Sequence, residues 1–196
     1  MFTGIIEEVG RVVSVKAQDT NITFGIDCSF TAELKVDQSI AHNGVCLTVT
    51  KIENNLYYVT AIKETLERTN LKELVANSPI NLERCMLASM RIDGHIVQGH
   101  VDTVGTCSEI IQNNNESWEF FFEHEISNTH ITVKKGSIAI NGVSLTVVNS
   151  TSTSFSVAII PFTHEHTTFR QLKTGDLVNL EFDILGKYIQ KLINKE

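Results

Sequence analysis

Apolar and polar residues alternate along much of the chain. In Val143-Ser144-Leu145-Thr146-Val147 every second side chain is apolar, and Val45-Cys46-Leu47-Thr48-Val49 repeats that alternation almost unchanged. A period of two puts Val143, Leu145 and Val147 on one face and Ser144 and Thr146 on the other, which predicts strands. Each run follows an Asn-Gly pair and an earlier apolar run, "SIAI-NG-VSLTVV" and "SIAH-NG-VCLTVT". Asn-Gly in that setting predicts a type I′ hairpin, because both central residues need positive φ. "LYYVTAI", "FSVAII", "EFFFEH" and "LVNLEFDI" add β-branched and aromatic runs of strand length. Helical stretches are short, "TLERTNLKEL" and "THEHTTFRQL", until the C-terminus, where Leu185, Tyr188, Ile189, Leu192 and Ile193 recur at helical spacing. A helix with that stripe must bury it against its own domain or against copies of itself.

The chain is also written twice. Ser39 set against Ser137 aligns the sequence with itself, without a gap, to Met86 against Ile184. Identities include Asn43/Asn141, Gly44/Gly142, Val45/Val143, Leu47/Leu145, Thr48/Thr146, Thr65/Thr163 and the run Asn81-Leu82-Glu83 against Asn179-Leu180-Glu181. At a slightly different offset, Gly4 and Gly10 fall on Gly99 and Gly105. Solenoid units are usually ~20–50 residues long; these copies are longer and each can own a core. The expectation is therefore two sister all-β domains, residues 1–88 and 89–184, followed by a helix at 185–196. Their boundary falls near Ala88–Arg91, between an "NLER" strand and a "GHIVQGHV" strand. The pattern leaves barrel and sandwich open.

Composition narrows the function classes. A net charge of −7 argues against nucleic acid or an anionic membrane as partner, since both reward clustered Lys and Arg. No run approaches the ~18 apolar residues of a membrane-spanning helix, and MFTGIIEEVG does not read as a secretory signal. Cys28, Cys46, Cys85 and Cys107 show no tight spacing and are expected as free thiols in the cytoplasm. The sequons at Asn21, Asn115 and Asn149 are then chance matches, and Asn113–Asn115 reads as a plain loop. His95 and His100, five apart, make a poor metal pair on one strand; His164 and His166 flank Glu165 in what reads as a solvated segment. No metal is expected.

The differences between the copies carry candidate chemistry. Cys46 stands opposite Ser144, Ile5 opposite His100, Cys85 opposite Asp183 and Asp37 opposite Lys135. Matched small hydroxyl or thiol groups on an outer sheet face suit close approach by something flat. Two similar sites with unlike reactive groups suit a reaction between two similar molecules playing different roles.

"MFTGIIEEVG", the paired "NGVCLTVT" and "NGVSLTVV", "KETLERTNL", "GHIVQGHVD" and "GDLVNLEFDILGKYIQKL" resemble riboflavin synthase of the α-chain type, nearly end to end. The resemblance implies two six-stranded Greek-key barrels, a C-terminal helix that assembles a homotrimer, and an active site between the first barrel of one subunit and the second of another. It implies a transferase acting in riboflavin biosynthesis without a cofactor: two molecules of 6,7-dimethyl-8-ribityllumazine are converted to riboflavin and 5-amino-6-ribitylaminouracil by four-carbon transfer. The alternative is a non-catalytic, antenna-type lumazine or flavin carrier on the same fold. Association with lumazine synthase is left open.

By family position the resemblance implies substrate contacts from Gly4, Ile5, Ile6, Thr48, Thr60, Ala61, Ile62 and Thr65 in the first barrel. In the second it implies Gly99, Val101, Thr146, Ala158, Ile159, Ile160 and Thr163. Leu47 and Leu145 lie within the same motifs, Ser39 is a candidate for the ribityl chain, and Phe2 closes over the pocket. Cys46, His100, Ser144, Thr146, Asp183 and Lys135 carry the chemistry. His100 is to shuttle protons, Ser144 or a water to add to C7, Asp183 to orient that step and Lys135 to steady an anion. The second copy departs from the first at Pro161-Phe162-Thr163-His164-Glu165-His166, against Lys63-Glu64-Thr65-Leu66-Glu67-Arg68, which bears on the wall of the second pocket.

Overall fold

The structure, a computed structural model, describes residues 1–113 and 117–194; of the predicted loop and sequon, Asn114 and Asn115 lie outside the described residues. Two closed barrels are built from matching strands. In the first, β1 (Glu8–Gln18), β2 (Asn21–Asp27), β3 (Ser39–His42), β4 (Val45–Glu53), β5 (Leu56–Ala61) and β6 (Pro79–Arg84) close in the order β1-β2-β5-β4-β3-β6. In the second, β7 (Thr103–Asn113), β8 (Ser117–Glu123), β9 (Ser137–Ile140), β10 (Val143–Ser150), β11 (Ser154–Ile159) and β12 (Leu177–Phe182) follow the same Greek-key path. Barrel is thus chosen over sandwich. The strong coiling that closure requires is concentrated at register shifts at equivalent places: Val12/Ser14 and Cys107/Glu109, Val49/Lys51 and Val147/Asn149.

Alternation sets what each barrel encloses. Val45, Leu47 and Val49 of β4, and Val143, Leu145 and Val147 of β10, point into separate apolar interiors. Short helices α1 (Lys63–Arg68) and α2 (Pro161–His166) each run into one turn of 3-10 helix, as the sequence predicted. The predicted "GHIVQGHV" strand does not form. Residues 94–101 contribute one isolated bridge, Phe2 with Val97, because the segment is used to connect the barrels rather than to join either sheet. Helix α3 spans Ile184–Asn194, with 195–196 outside the described residues. Its stripe is not folded back on the barrel: Leu185, Tyr188, Ile189, Leu192 and Ile193 are all exposed. No described helix is long and apolar enough to cross a membrane.

The Asn-Gly hairpins meet between the barrels. Asn43 and Gly44 have φ of 45° and 79°, Asn141 and Gly142 46° and 79°, as type I′ turns need. The two tips abut so closely that a Cβ on Gly44 would lie 2.7 Å from the Gly142 nitrogen, so glycine is required by space as well as by φ. Around them the asparagines repeated in the sequence tie one barrel to the other. Asn81 Nδ2 donates to the Asn141 carbonyl and Asn179 Nδ2 to the Asn43 carbonyl, each at 2.9 Å. Thr168 N donates to Asn81 Oδ1 at 2.8 Å and Asn70 N to Asn179 Oδ1 at 2.7 Å. Repeat identity here is an interface between copies.

Candidate functional site

Each barrel carries an outer face made by three adjacent strands. Register places Cys46 beside Ala41 and Ala41 beside Glu83, and places Ser39 beside Thr48. In the second barrel Ser144 lies beside Ala139 and Ala139 beside Glu181, with Ser137 beside Thr146. The alternating period sends Cys46, Thr48, Ser144 and Thr146 outward. Cys46 and Ser144 are half-buried while Thr48 and Thr146 are exposed, so matched small polar groups do line two equivalent outer faces. Leu47, Leu145, Ala61 and Ile159 turn the other way, into the barrel interiors. Thr60 is outward and shares a hydrogen bond of 3.0 Å with Thr23; Ala158, Ile62 and Ile160 are exposed, and Thr65 and Thr163 are half-buried on α1 and α2.

The glycine segments bridge the two barrels. The sequence expectation places Gly4–Ile6 at the first barrel and Gly99–Val101 at the second, and Ile5 does wall a cleft beside Ser39 of the first. The same segments also reach across: Ser144 N donates to the Gly4 carbonyl and Cys46 N to the Gly99 carbonyl, at 2.8 and 2.9 Å. Ile6 packs against the second interior and Val101 against the first. The physical reason is an open edge. The paired stretch of β4 with β5 stops at Val49 and that of β10 with β11 at Val147, which leaves N–H groups at Cys46 and Ser144 that a strand edge must satisfy. Gly4 and Gly99, at φ of +78° and +80°, approach so closely that a Cβ on either would sit 2.6 Å from Cβ of Ser144 or Cys46. Phe2 is fully buried in a third small cluster with Ala41, Val97 and Ala139, and Cys46 packs against it.

Two buried carboxylates hold these segments, and the sequence reading missed them. Glu83 accepts from Thr3 N, Thr3 Oγ1 and Gly4 N at 2.6, 2.8 and 3.0 Å. Glu181 accepts from Gln98 N, Gly99 N and His100 N at 2.6, 2.9 and 2.9 Å. Burial raises the Glu83 carboxyl and pushes that of Glu181 up to about 7, against the amides that favour the charged form. The available signal was the repeated Asn-Leu-Glu, an acid at the same strand position in both copies.

The predicted catalytic residues are brought together only in part. His95, not His100, reaches Ser144: its Nδ1 lies 2.7 Å from Ser144 Oγ, and its backbone N donates to the Thr3 carbonyl. Burial lowers the His95 pKa, and the Asp183 charge opposes that shift, so the imidazole is neutral near pH 7 and can take a proton from a hydroxyl. Asp183 caps the start of α3 through Leu185 N at 3.0 Å. His100 is exposed and held through its main chain. Lys135 is exposed at φ 68°, in the turn that Asp37 occupies at φ 72° in the first copy. At the other face, burial raises the Cys46 thiol pKa while a hydrogen bond from Ser39 pulls it down; the group is a thiol, not a thiolate, at neutral pH. Nothing in the sequence pointed to His95 beside Ser144, 49 residues away.

Beside Ser39 and Cys85 the surface opens into a cleft of 510 Å³ walled by Ile5, Met86, Leu87 and Met90. A second cleft, of 490 Å³, lies along the asparagine seam and holds none of the predicted site residues. The second barrel departs from the first around residues 162–166. Ile22 and Leu66 of the first barrel are replaced by Trp118 and His164, stacked at 3.9 Å and 5°, and His166 Nδ1 donates to the Phe162 carbonyl. Among the described residues no group of three His, Cys, Asp or Glu side chains could hold a metal ion.

Comparison with known proteins agrees with the duplicated barrel fold. A family model described as the lumazine binding domain matches residues 3–85 and again 98–183. The chain is 43% identical over 197 residues to riboflavin synthase of Actinobacillus pleuropneumoniae, covering 100% of this chain and 91% of that protein. It is 39% identical over 196 residues to riboflavin synthase of Bacillus subtilis, with the same coverage. The crystal structure of LumP complexed with riboflavin superimposes with a TM-score of 0.84 at 21% identity, covering 92% of this chain and 98% of that one. LumP complexed with 6,7-dimethyl-8-(1'-D-ribityl) lumazine gives 0.83 at 21% identity, over 93% and 99%; at that identity the likeness is one of fold.

Proposed function

Because the chain belongs to the riboflavin synthase family of transferases, with two lumazine-binding domains, we propose that it converts two molecules of 6,7-dimethyl-8-ribityllumazine to riboflavin and 5-amino-6-ribitylaminouracil. The observation that carries the reading is the pair of equivalent outer faces, one bearing Cys46 and the other Ser144, each roofed by a glycine segment. One barrel fold thus offers two seats for one kind of molecule, with different groups at the same point.

The reaction moves a four-carbon unit from one lumazine to the other, so the substrate is both donor and acceptor and no cofactor is required. A proton must leave the 7-methyl group of one molecule, and C7 of the other must accept a nucleophile. On the second face His95 takes the Ser144 hydroxyl proton as oxygen adds to C7, and Asp183 stabilises the imidazolium that forms. On the first, the protonated Cys46 and Ser39 offer contacts without competing as nucleophiles. The strand ends at Thr60–Ile62 and Ala158–Ile160, where Ile62, Ala158 and Ile160 are exposed, suit the imide edge of a flat ring. Bringing two rings together contributes most of the acceleration, since well-oriented pairs reach effective molarities of ~10⁵ M or more.

The exposed stripe of α3 fits a homotrimer assembled around that helix, and would bring the first barrel of one subunit to the second of another. Free thiols fit a cytoplasmic setting. The test is to mix purified protein with 6,7-dimethyl-8-ribityllumazine, with no additive, and follow riboflavin absorbance. Turnover that falls by about 10² or more in His95→Ala and Ser144→Ala, as loss of general-base assistance predicts, supports the assignment. Tight lumazine binding with no riboflavin formed overturns it in favour of a carrier.

A further inference from the structure

The two carboxylates that anchor the glycine segments stand on the wrong barrels for the faces those segments cover. Glu83 extends from β6 of the first barrel, and is only 4% exposed. Its three hydrogen bonds go to Thr3 and Gly4. Gly4 in turn receives the Ser144 amide and lies against the Ser144 side chain, on the second barrel. Glu181 extends from β12 of the second barrel and is equally buried. It holds Gln98, Gly99 and His100, and Gly99 covers Cys46, on the first barrel.

We infer that Glu83 and Glu181 are positioning residues acting in a crossed sense: Glu181 sets the roof of the Cys46 face and Glu83 the roof of the Ser144 face. Neither carboxylate touches the face it governs. Each acts through a segment whose carbonyl is fixed by one barrel and whose N–H groups are fixed by the other. A buried carboxylate accepting several backbone N–H groups is among the stronger hydrogen-bonded anchors a protein can build. Each segment contains a glycine at positive φ, which widens the conformations open to it; buried Phe2 and Val97 and the strand-edge amides hold its other groups, and the carboxylate alone accepts from the N–H groups beside the glycine. The consequence is reciprocal: the geometry of either seat depends on the barrel that supplies the other.

The inference rests on the reading that these faces seat the substrate, but its test needs no substrate. Cys46 is a native reporter beneath the Gly99 segment, and Ser144→Cys places the same reporter beneath Gly4. Labelling with N-ethylmaleimide is followed site by site by peptide mass mapping in the ligand-free full chain. Glu181→Gln, which keeps shape but replaces an acceptor by a donor facing N–H groups, is expected to raise about tenfold or more the limiting Cys46 labelling rate at high pH, where the thiolate is fully formed and loss of the Glu181 charge near Cys46 no longer enters. The Ser144→Cys rate in the same background stays unchanged. Glu83→Gln gives the reverse pattern.

Faster labelling on the same barrel as the substitution, on both faces equally, or on neither overturns the inference. Cys28 and Cys107 lie in the barrel interiors and report unfolding. A Gln variant that labels there is replaced by Glu→Asp at the same position, on which the crossed pattern is required. Absence of turnover in the unsubstituted protein overturns the functional reading and leaves the labelling result standing.

Discussion

The first and second barrels follow one strand path yet fill equivalent positions with opposite chemistry. Where the second barrel has Ile140 and Phe155 in its interior, the first has His42 and Tyr57. His42 is fully buried, with Nδ1 at 3.0 Å from the Ile40 carbonyl and Nε2 at 2.9 Å from Tyr57 Oη. At the barrel mouths, Arg84 bonds Glu7 and Glu33 over the Phe30 ring, whereas its counterpart Phe182 is stacked by His130 at 4.9 Å. The difference teaches that the path tolerates a polar or an apolar group at one position provided each finds partners within its own barrel. Both copies keep Asn43/Asn141, Asn81/Asn179, Gly44/Gly142 and Glu83/Glu181 at the seam where the barrels meet, and interior pairs such as Leu47/Leu145 and Leu82/Leu180.

The largest expected effect lies in that seam. Asn141 Oδ1 accepts from both Asn179 N and Asn70 Nδ2, whereas Asn43 Oδ1 accepts from Asn81 N. With about 2 kcal/mol for each buried donor left unmatched, Asn141→Ala should destabilise by about 4 kcal/mol and Asn43→Ala by about half that. Urea titration of the two variants checks the ratio. Equal losses would mean that the seam is held symmetrically and that the extra Asn70 contact contributes nothing.

Acid should separate the barrels next. Burial lowers the His42 pKa from 6.5 to about 4, so the folded state refuses a proton that the unfolded chain accepts. Stability is then complete above pH 6.5 and falls as pH drops toward 4, by about 3 kcal/mol over the window. The double variant His42→Ile, Tyr57→Phe copies the second barrel and should remove that share of the loss, measured as the change in unfolding free energy between pH 7 and pH 4. His95, His124 and His164 are shifted the same way, so a remaining slope is expected; an undiminished one would rule out His42 as a principal source.

The smallest effect concerns the second pocket's wall. Trp118 is the sole tryptophan and stacks on His164, whose pKa is lowered first by burial. Indole emission should change as His164 takes up a proton, with a midpoint below 6.5, and His164→Leu should abolish the transition. Replacing both residues by the Ile and Leu of the first barrel should cost about 1 kcal/mol or less, the usual worth of an aromatic pair beyond its buried area. A pH-independent emission in the unsubstituted chain would show that the stack does not persist in solution.

Much of this was legible in the residues. Alternation and Asn-Gly fixed the hairpins, the internal repeat fixed the number of barrels, and helical spacing fixed α3. The outer face of Cys46, Thr48, Ser144 and Thr146 followed from a period of two. The contacts of Gly4 with Ser144 and of Gly99 with Cys46 were not legible, because "GHIVQGHV" alternates well enough to pass for a strand and nothing local says which edge a segment will cover. Likewise His95 and His100 are equally plausible as neighbours in sequence; only one lies within reach of Ser144.

The sequence by itself therefore determined the local grammar: strand periods, turn chemistry, the duplication and which side chains face outward, all set by contacts within a few residues or by identity between copies. Tertiary structure alone decided which barrel each glycine segment completes, which carboxylate anchors it and which histidine meets the serine. Those choices depend on unsatisfied edge N–H groups finding partners far along the chain, Ser144 with Gly4 among them, and on space left where two barrels touch. Such distances carry no period, so no pattern along the chain records them.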